Sequence, residues 1–209
     1  MVHQSESGPV TTIDLLRHGE PVGGTRYRGT TDDPLSEAGW AQMWATVGDG
    51  CPWQRIATSP LARCAEFAEA MGRRWGLYAA RVPALAEMDF GIWEGRPARE
   101  VLAGYPDEIR RFWANPNSYT PSGGEPYAQF EARLGAAWDA LVEDYRGEHL
   151  LAVTHTGVIR ALVCRILQVP YERAFRLDVP YACLTRIRID RARGVQQPRI
   201  RFHGGGLHG

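Results

Sequence analysis

Three features of this sequence predict an α/β fold: a three-layer α/β/α sandwich with a mainly parallel central sheet and an antiparallel C-terminal edge. Short apolar runs alternate with stretches of amphipathic helical spacing up to about residue 170, the pattern left when crossover helices cover both faces of a parallel sheet. The last part of the chain instead carries two strand-like runs around a glycine-containing turn, a connection too short for anything but antiparallel pairing. With 209 residues, the chain suits one domain, and at that size about 70% of the unfolded surface is buried without disulfides or metal.

Each element has its own signal. Residues 11–18, TTIDLLRH, form a β-rich apolar run ending at Arg17-His18, with Gly19 as the break. Trp40, Met43, Trp44 and Val47 fall at i, i+3, i+4 and i+7 of a helix starting near Ser36. Residues 55–59, RIATS, are expected as the next strand, and Ser59 as the cap of a helix whose first residue is Pro60. A third strand is expected within 77–82. From Pro83 to Pro126 the pattern loosens into two short helical stretches, 96–103 and 107–113, and the breaker-rich NPNSYTPSGGEP. Segments of this kind commonly cover a site, so 83–126 is the expected lid.

Phe130, Leu134, Trp138, Leu141, Val142 and Tyr145 mark a long helix, HLLAVTH at 149–155 another buried strand, and Gly157 to Gln168 an apolar helix stopped by Pro170. The two C-terminal strands are expected near 182–190 and 198–203, around a turn containing Gly194. There Arg186, Arg188, Arg199 and Arg201 alternate with Ile187, Ile189, Ile200 and Phe202, predicting one arginine face and one apolar face. Residues 1–10 and 204–209 are expected to be flexible tails around a single domain at 11–203.

Charge narrows the function. The 24 basic residues balance 24 acidic ones, and none of the basic residues is a lysine. A Walker A lysine, a Schiff base and a lysine general base are therefore excluded, and any cationic site must be built from guanidinium, which grips phosphate or carboxylate in a bidentate fork. Zero net charge gives no reason to expect nucleic acid, and the arginine-rich C-terminal strands are expected to form a charged, solvated edge. Cys51, Cys64, Cys164 and Cys183 show no zinc spacing and are expected as free thiols. The first ten residues lack a secretory pattern, and no apolar run is long enough to span a membrane, so a soluble cytoplasmic protein is expected.

Counting residues rejects several sites. None of the cysteines has the arginine six positions later that a cysteine phosphatase needs; Ala57, Ala70, Pro170 and Ile189 stand there. There is no G-x-S-x-G or H-E-x-x-H, and the one G-x-G-x-x-G, Gly204 to Gly209, closes the chain with no helix after it. What survives is LLRHGE at 15–20, SPLARC at 59–64 and VTHTG at 153–157. Arg17-His18 at a strand end puts an imidazole beside a fixed cation, with Gly19 to let backbone approach. Arg63 lies near the positive end of one helix and His155 at the start of another. In a parallel sheet the crevice beyond the strands' carboxyl ends holds the site, and Arg17, His18 and His155 all belong there.

With YRGTTDDPLSEAG at 27–39 and LAEMDFGIWEG at 85–95 added in order, the chain resembles the histidine phosphatase superfamily, the phosphoglycerate mutase-like fold, over about residues 11–170. The resemblance implies that His18 accepts the phosphoryl group, that Arg17, Arg63 and His155 form the phosphate pocket, and that Glu87 is the proton donor; charge stabilisation of the transferring group's oxygens asks for a protonated His155. Asp89 is the competitor for that last role. Pro21 and GGTRYRG stand where the family often has Thr and later Asn, and Thr156 where Gly is frequent. These departures bear on recognition, for which Arg26, Tyr27, Arg28, Trp93 and Thr156 are the candidates, the aromatics being able to stack on a flat ring.

Within the family the chain looks most like the α-ribazole-5′-phosphate phosphatase branch. The implied function is a cofactor-independent, metal-free phosphomonoesterase acting on a small phosphorylated metabolite through phosphohistidine. A phosphoglycerate mutase or sugar bisphosphatase is the alternative, and a catalytically silent phosphate-ligand or protein-binding module the alternative of another class. Acids outnumber arginines in residues 87–126, a lid expected to repel a second phosphate and so to favour hydrolysis. No nucleic acid or membrane partner is expected, and the oligomeric state stays open, a homodimer included.

Overall fold

The computed structural model describes residues 8–192 and 195–205. Its strands are β1 (Thr11–Arg17), β2 (Arg55–Thr58), β3 (Ala79–Arg81), β4 (His149–Thr154), β5 (Leu184–Ala192) and β6 (Val195–Gly205). The helices are α1 (Glu37–Val47), α2 (Ala62–Trp75), α3 (Ala98–Gly104), α4 (Pro106–Ala114), α5 (Tyr127–Asp144) and α6 (Thr156–Leu167). The sheet order is β3-β2-β4-β1-β5-β6. The β3-β2, β2-β4 and β4-β1 pairs are parallel, and β1-β5 and β5-β6 are antiparallel. This is the mainly parallel sheet with an antiparallel edge that the alternation of runs predicts.

Alternate residues of the central strands feed two cores, as the period-2 pleat requires. Ile13, Leu15, Leu150 and Ala152 pack with α5, α6 and the 83–126 segment, while Leu16, Leu151 and Val153 pack with α1 and α2. The exception is Asp14, fully buried in β1 and hydrogen-bonded by Arg186, His149 and Trp53. Burial pushes its carboxyl up most strongly, but the hydrogen bonds and charges of Arg186 and His149 outweigh that and leave it below its ordinary value. Its contribution to stability is therefore present above the usual carboxylate range and disappears as pH falls through the lowered value.

Several expectations are corrected. Helix α2 starts at Ala62, not Pro60, because Leu61 is extended, and Ser59 is not its cap. The cap is Asp32, whose carboxylate accepts from Ala62 N at 2.6 Å. The simple alternation on β6 also fails. Arg186 faces Phe202 but Ile187 faces Ile200, so a bulge at Arg201 puts Phe202 on the other face, with the α1–α2 core and beneath the Arg186 guanidinium. Strand β6 runs on through Gly205, opposite Leu184, so 204–205 are not tail. Gly194 and residues 206–209, with most of the G-x-G-x-x-G, lie outside the described residues. Other arginines of this edge pair within the chain, Arg188 with Asp190 and Arg191 with Glu143. No described helix is long and apolar enough to cross a membrane.

Candidate active site

The carboxyl ends of β1, β2 and β4 bring the reactive side chains together. His18 follows β1 directly, and its backbone N–H bonds Thr154 O at 3.0 Å, tying it to the end of β4. Its Nδ1 lies 2.7 Å from Gly19 O. A carbonyl only accepts, so Nδ1 carries the proton and Nε2 keeps its lone pair. Burial, then the charges of Arg63 and Arg17, hold this imidazole well below its ordinary value, so it is neutral at neutral pH. Gly19 lets backbone approach as expected: a Cβ there would sit 2.2 Å from Gly39 O, so the glycine lets α1 pack against the loop.

Arg17 donates to Val179 O at 2.5 Å, and its guanidinium lies 4.2 Å from the centre of the Tyr181 ring. Arg63 is fully buried and held by three loop carbonyls, Thr31 O at 2.7 Å, Gly29 O at 2.9 Å and Arg28 O at 3.1 Å. That loop is in turn held by Glu94, whose carboxylate accepts from the N–H groups of Gly29, Thr30, Thr31 and Phe90 and from the Thr31 hydroxyl. One carboxylate thus positions the loop that positions Arg63. Sequence reasoning missed Glu94, although it lies inside the quoted LAEMDFGIWEG run.

His155 occupies the N-cap position of α6, and its Nε2 is 2.7 Å from the Ser59 hydroxyl. Its ring centre is 5.2 Å from that of His18. Burial, then Arg63, His18 and Arg17, hold the His155 imidazole well below its ordinary value, a direction that runs against the protonated form expected for it. Glu87 meets the start of α6, with Oε2 accepting from Gly157 N at 2.9 Å and Oε1 from Met88 N at 3.1 Å. A Cβ at Gly157 would lie 2.3 Å from Oε1, so glycine makes room for this carboxyl. Burial raises the Glu87 pKa, and the two backbone N–H donors and the nearby arginines only partly offset it. The competitor Asp89 closes its own turn onto Gly91 N at 2.8 Å.

Arg17, His18, Glu87 and Thr156 open onto one cavity of about 350 Å³. Arg26, Tyr27 and Arg28 line it too, although Arg28 is largely committed to the loop, paired with Asp33 at 2.7 Å and bonded to Val22 O and Gly24 O. Trp93 does not line it. It is 0% exposed, packed among Tyr27, Phe112 and Tyr119, so it belongs to the core. Sequence reasoning missed the rest of the wall: Met88, Phe90, Phe112 and Trp113 from the insertion, and Arg160, Tyr171, Phe175 and Tyr181 from α6 and the segment after it. The insertion's arginines do not line the cavity and Glu87 is its only acid there, so the charge of residues 87–126 does not describe the pocket. Arg17 Nε, Arg63 Nε and Thr156 Oγ1 are buried with no acceptor among the described residues. Each such donor costs about 1–3 kcal/mol while it lacks an acceptor; Arg17 and Thr156 line the cavity, whereas Arg63 and His155 do not. Among the described residues no cluster of three His, Cys, Asp or Glu side chains could hold a metal ion.

A family model for the histidine phosphatase superfamily (branch 1) matches residues 13–198. The chain belongs to this superfamily. It is 33% identical over 183 residues to a "bifunctional protein" of Mycobacterium tuberculosis, covering 85% of this chain and 50% of that one; the chain thus spans about half the length of the first curated relatives it matches. Phosphoserine phosphatase 1 of Hydrogenobacter thermophilus is 28% identical over 187 residues, 87% of this chain and 88% of that one. The adenosylcobalamin/alpha-ribazole phosphatase of Escherichia coli is 28% identical over 181 residues, with 84% and 89% covered. Among solved structures, YhfR of Bacillus stearothermophilus superposes with a TM-score of 0.85 at 27% identity, covering 95% of this chain and 98% of that one. Superfamily membership agrees with the resemblance carried by the five motifs. The relatives' names differ in substrate.

Proposed function

We propose that the protein is a phosphomonoesterase working through phosphohistidine. The observation that carries this reading is a neutral imidazole with a free Nε2, near the buried Arg63 and the partly buried Arg17 guanidiniums and a buried carboxyl, at the end of one sheet. His18 Nε2 attacks phosphorus, forming the P–N bond as the ester P–O bond breaks, and Glu87 passes its proton to the departing alcohol oxygen. Water then attacks phosphorus, the P–N bond breaks, phosphate leaves, and the water's proton returns to Glu87. Arg17, Arg63 and a hydrogen bond from neutral His155 balance the equatorial oxygens, which is most of what phosphoryl transfer asks of a protein.

The substrate in this reading is a small phosphorylated metabolite with a flat part, which the aromatic wall would stack. α-Ribazole-5′-phosphate is one such ester, and the name of the E. coli relative supports it. A cytoplasmic location fits the four free cysteines. The test is rapid quenching during turnover of a labelled phosphomonoester, with acid-labile label expected on His18. Supplying 3-phosphoglycerate with a bisphosphoglycerate primer separates the mutase alternative: phosphate release is expected to dominate, and 2-phosphoglycerate formed faster than phosphate would overturn the reading.

A further inference from the structure

The cavity wall is unusual in what it lacks. Glu87 is the one acid among the described lining residues, against four arginines, Arg17, Arg26, Arg28 and Arg160, and the neutral hydrogen-bonding side chains are His18, Trp113, Thr156 and three tyrosines. A cationic leaving group would meet one carboxylate against four guanidiniums there. Arg160 is the other distinctive feature. It follows Thr156 by four residues, on the same face of α6, and three residues beyond Gly157, the backbone anchor of Glu87, which is about 4.5 Å along the helix. Its Nε bonds Leu177 O at 3.0 Å and its guanidinium sits 5.3 Å from the Phe175 ring centre. The fork is therefore fixed at one edge, while no carboxylate pairs with it among the described residues. Arg17, whose buried Nε has no acceptor, lines the cavity beside His18 and in this reading meets the scissile phosphate.

We infer that Arg160 forms an anion subsite for the leaving group, so that the preferred substrates are phosphate esters of a flat, aromatic alcohol bearing a carboxylate or similar anion one helical turn beyond the ester oxygen. This rests on the phosphomonoesterase reading and narrows it. An acidic aromatic ester then ranks above α-ribazole-5′-phosphate, whose leaving alcohol carries no anion. The aromatic rings of Phe175 and Phe112 hold the flat part, and a guanidinium already stacked and tethered loses little freedom on binding the anion.

The experiment compares phenyl phosphate, 4-carboxyphenyl phosphate and 4-(aminomethyl)phenyl phosphate with the wild type, Arg160→Met and Arg160→Lys. In the wild type kcat/KM is expected to favour the carboxylate over the ammonium ester by about tenfold or more, as a charge-assisted contact implies. Arg160→Met should collapse that ratio and Arg160→Lys retain part of it, comparison within each protein removing any general loss. Calorimetry with phenylphosphonate and 4-carboxyphenylphosphonate, which are not hydrolysed, reads the same preference without turnover. An unchanged ratio in Arg160→Met, together with equal binding of the two phosphonates to the wild type, overturns the subsite. Absence of hydrolysis with the carboxylate preference intact in binding overturns the phosphatase reading instead and leaves the subsite standing.

Discussion

The two ends of the cavity are built differently. At the inner end, each reactive group is held by backbone: His18 by Gly19 O and Thr154 O, Arg63 by three loop carbonyls, Glu87 by the first turn of α6. At the outer end the wall comes from α4, from loops and from the segment after α6, and α4 reaches the 21–34 loop through one hydrogen bond between side chains, Trp113 Nε1 to Tyr27 OH at 3.1 Å. Trp113 is 44% exposed. The contrast separates two tasks. Phosphoryl transfer needs groups fixed to within fractions of an ångström, whereas selection among alcohols can rest on side chains from segments with fewer long-range ties.

The largest expected effect tests the inner end. His18→Ala should lower kcat/KM by at least about 10³-fold on every phosphomonoester, whatever its alcohol, because the variant loses the Nε2 that attacks phosphorus in this reading. A loss confined to aromatic esters would mean that His18 serves recognition and that the division between the two ends is wrong.

Next comes Glu87→Gln, expected to slow esters of poor leaving groups by about 10²–10⁴-fold and to spare good ones. The pH profile gives the sign. His18 must be neutral, and its lowered pKa moves the acid limb below the ordinary imidazole value, activity being lost as pH falls through it. Glu87 must be protonated, and its raised pKa moves the basic limb above the ordinary carboxyl value, activity being lost as pH rises through it. Glu87→Gln should remove the basic limb. Persistence of that limb with full leaving-group sensitivity would return the role to Asp89.

The same contrast explains what could be read from the chain. Strand ends and helix starts have local signatures, so Arg17, His18, Arg63 and His155 stood out, and the structure gathers them at one end of the sheet. Tertiary substitutions were invisible: Asp32 caps α2 in place of Ser59 from thirty residues away, and Ser59 turns instead to His155. Trp93 looked like a stacking residue because an aromatic in a loop-like run carries no sign of burial. Phe112, Phe175 and Tyr181 gave no warning, since each is an ordinary apolar position until the insertion folds back over the sheet. The charge of the insertion misled for a related reason, because a sum along the chain ignores which side chains face inward.

Glu94 offers a smaller effect that still belongs to the inner end. Glu94→Gln keeps the size but replaces one acceptor oxygen by a donor facing backbone N–H groups, so the 29–31 loop and with it Arg63 should shift. The expected loss is about tenfold in kcat/KM, roughly 1.4 kcal/mol of transition-state stabilisation, equal for aromatic and aliphatic esters. Inorganic phosphate should also inhibit more weakly, a readout that mere destabilisation of the fold does not produce below the melting transition. A loss limited to aromatic esters would place the loop in recognition.

The smallest effect should be found at the outer end, with Trp113→Ala. Removing this ring deletes part of the aromatic wall and the hydrogen bond to Tyr27 while leaving every contact of His18, Arg17 and Glu87 in place. An aromatic contact contributes about 0.5–1.5 kcal/mol beyond its area, so KM for phenyl phosphate should rise by a factor of roughly two to ten with kcat nearly constant. Glycerol phosphate has no ring to stack, and its KM should hardly move. Because α4 reaches the 21–34 loop through Trp113, the variant should also speed hydrogen exchange in α4 without affecting β1 or β4. If kcat fell equally for both esters, the outer wall would be shaping the transition state, and the two ends of the cavity would have to be regarded as one machine.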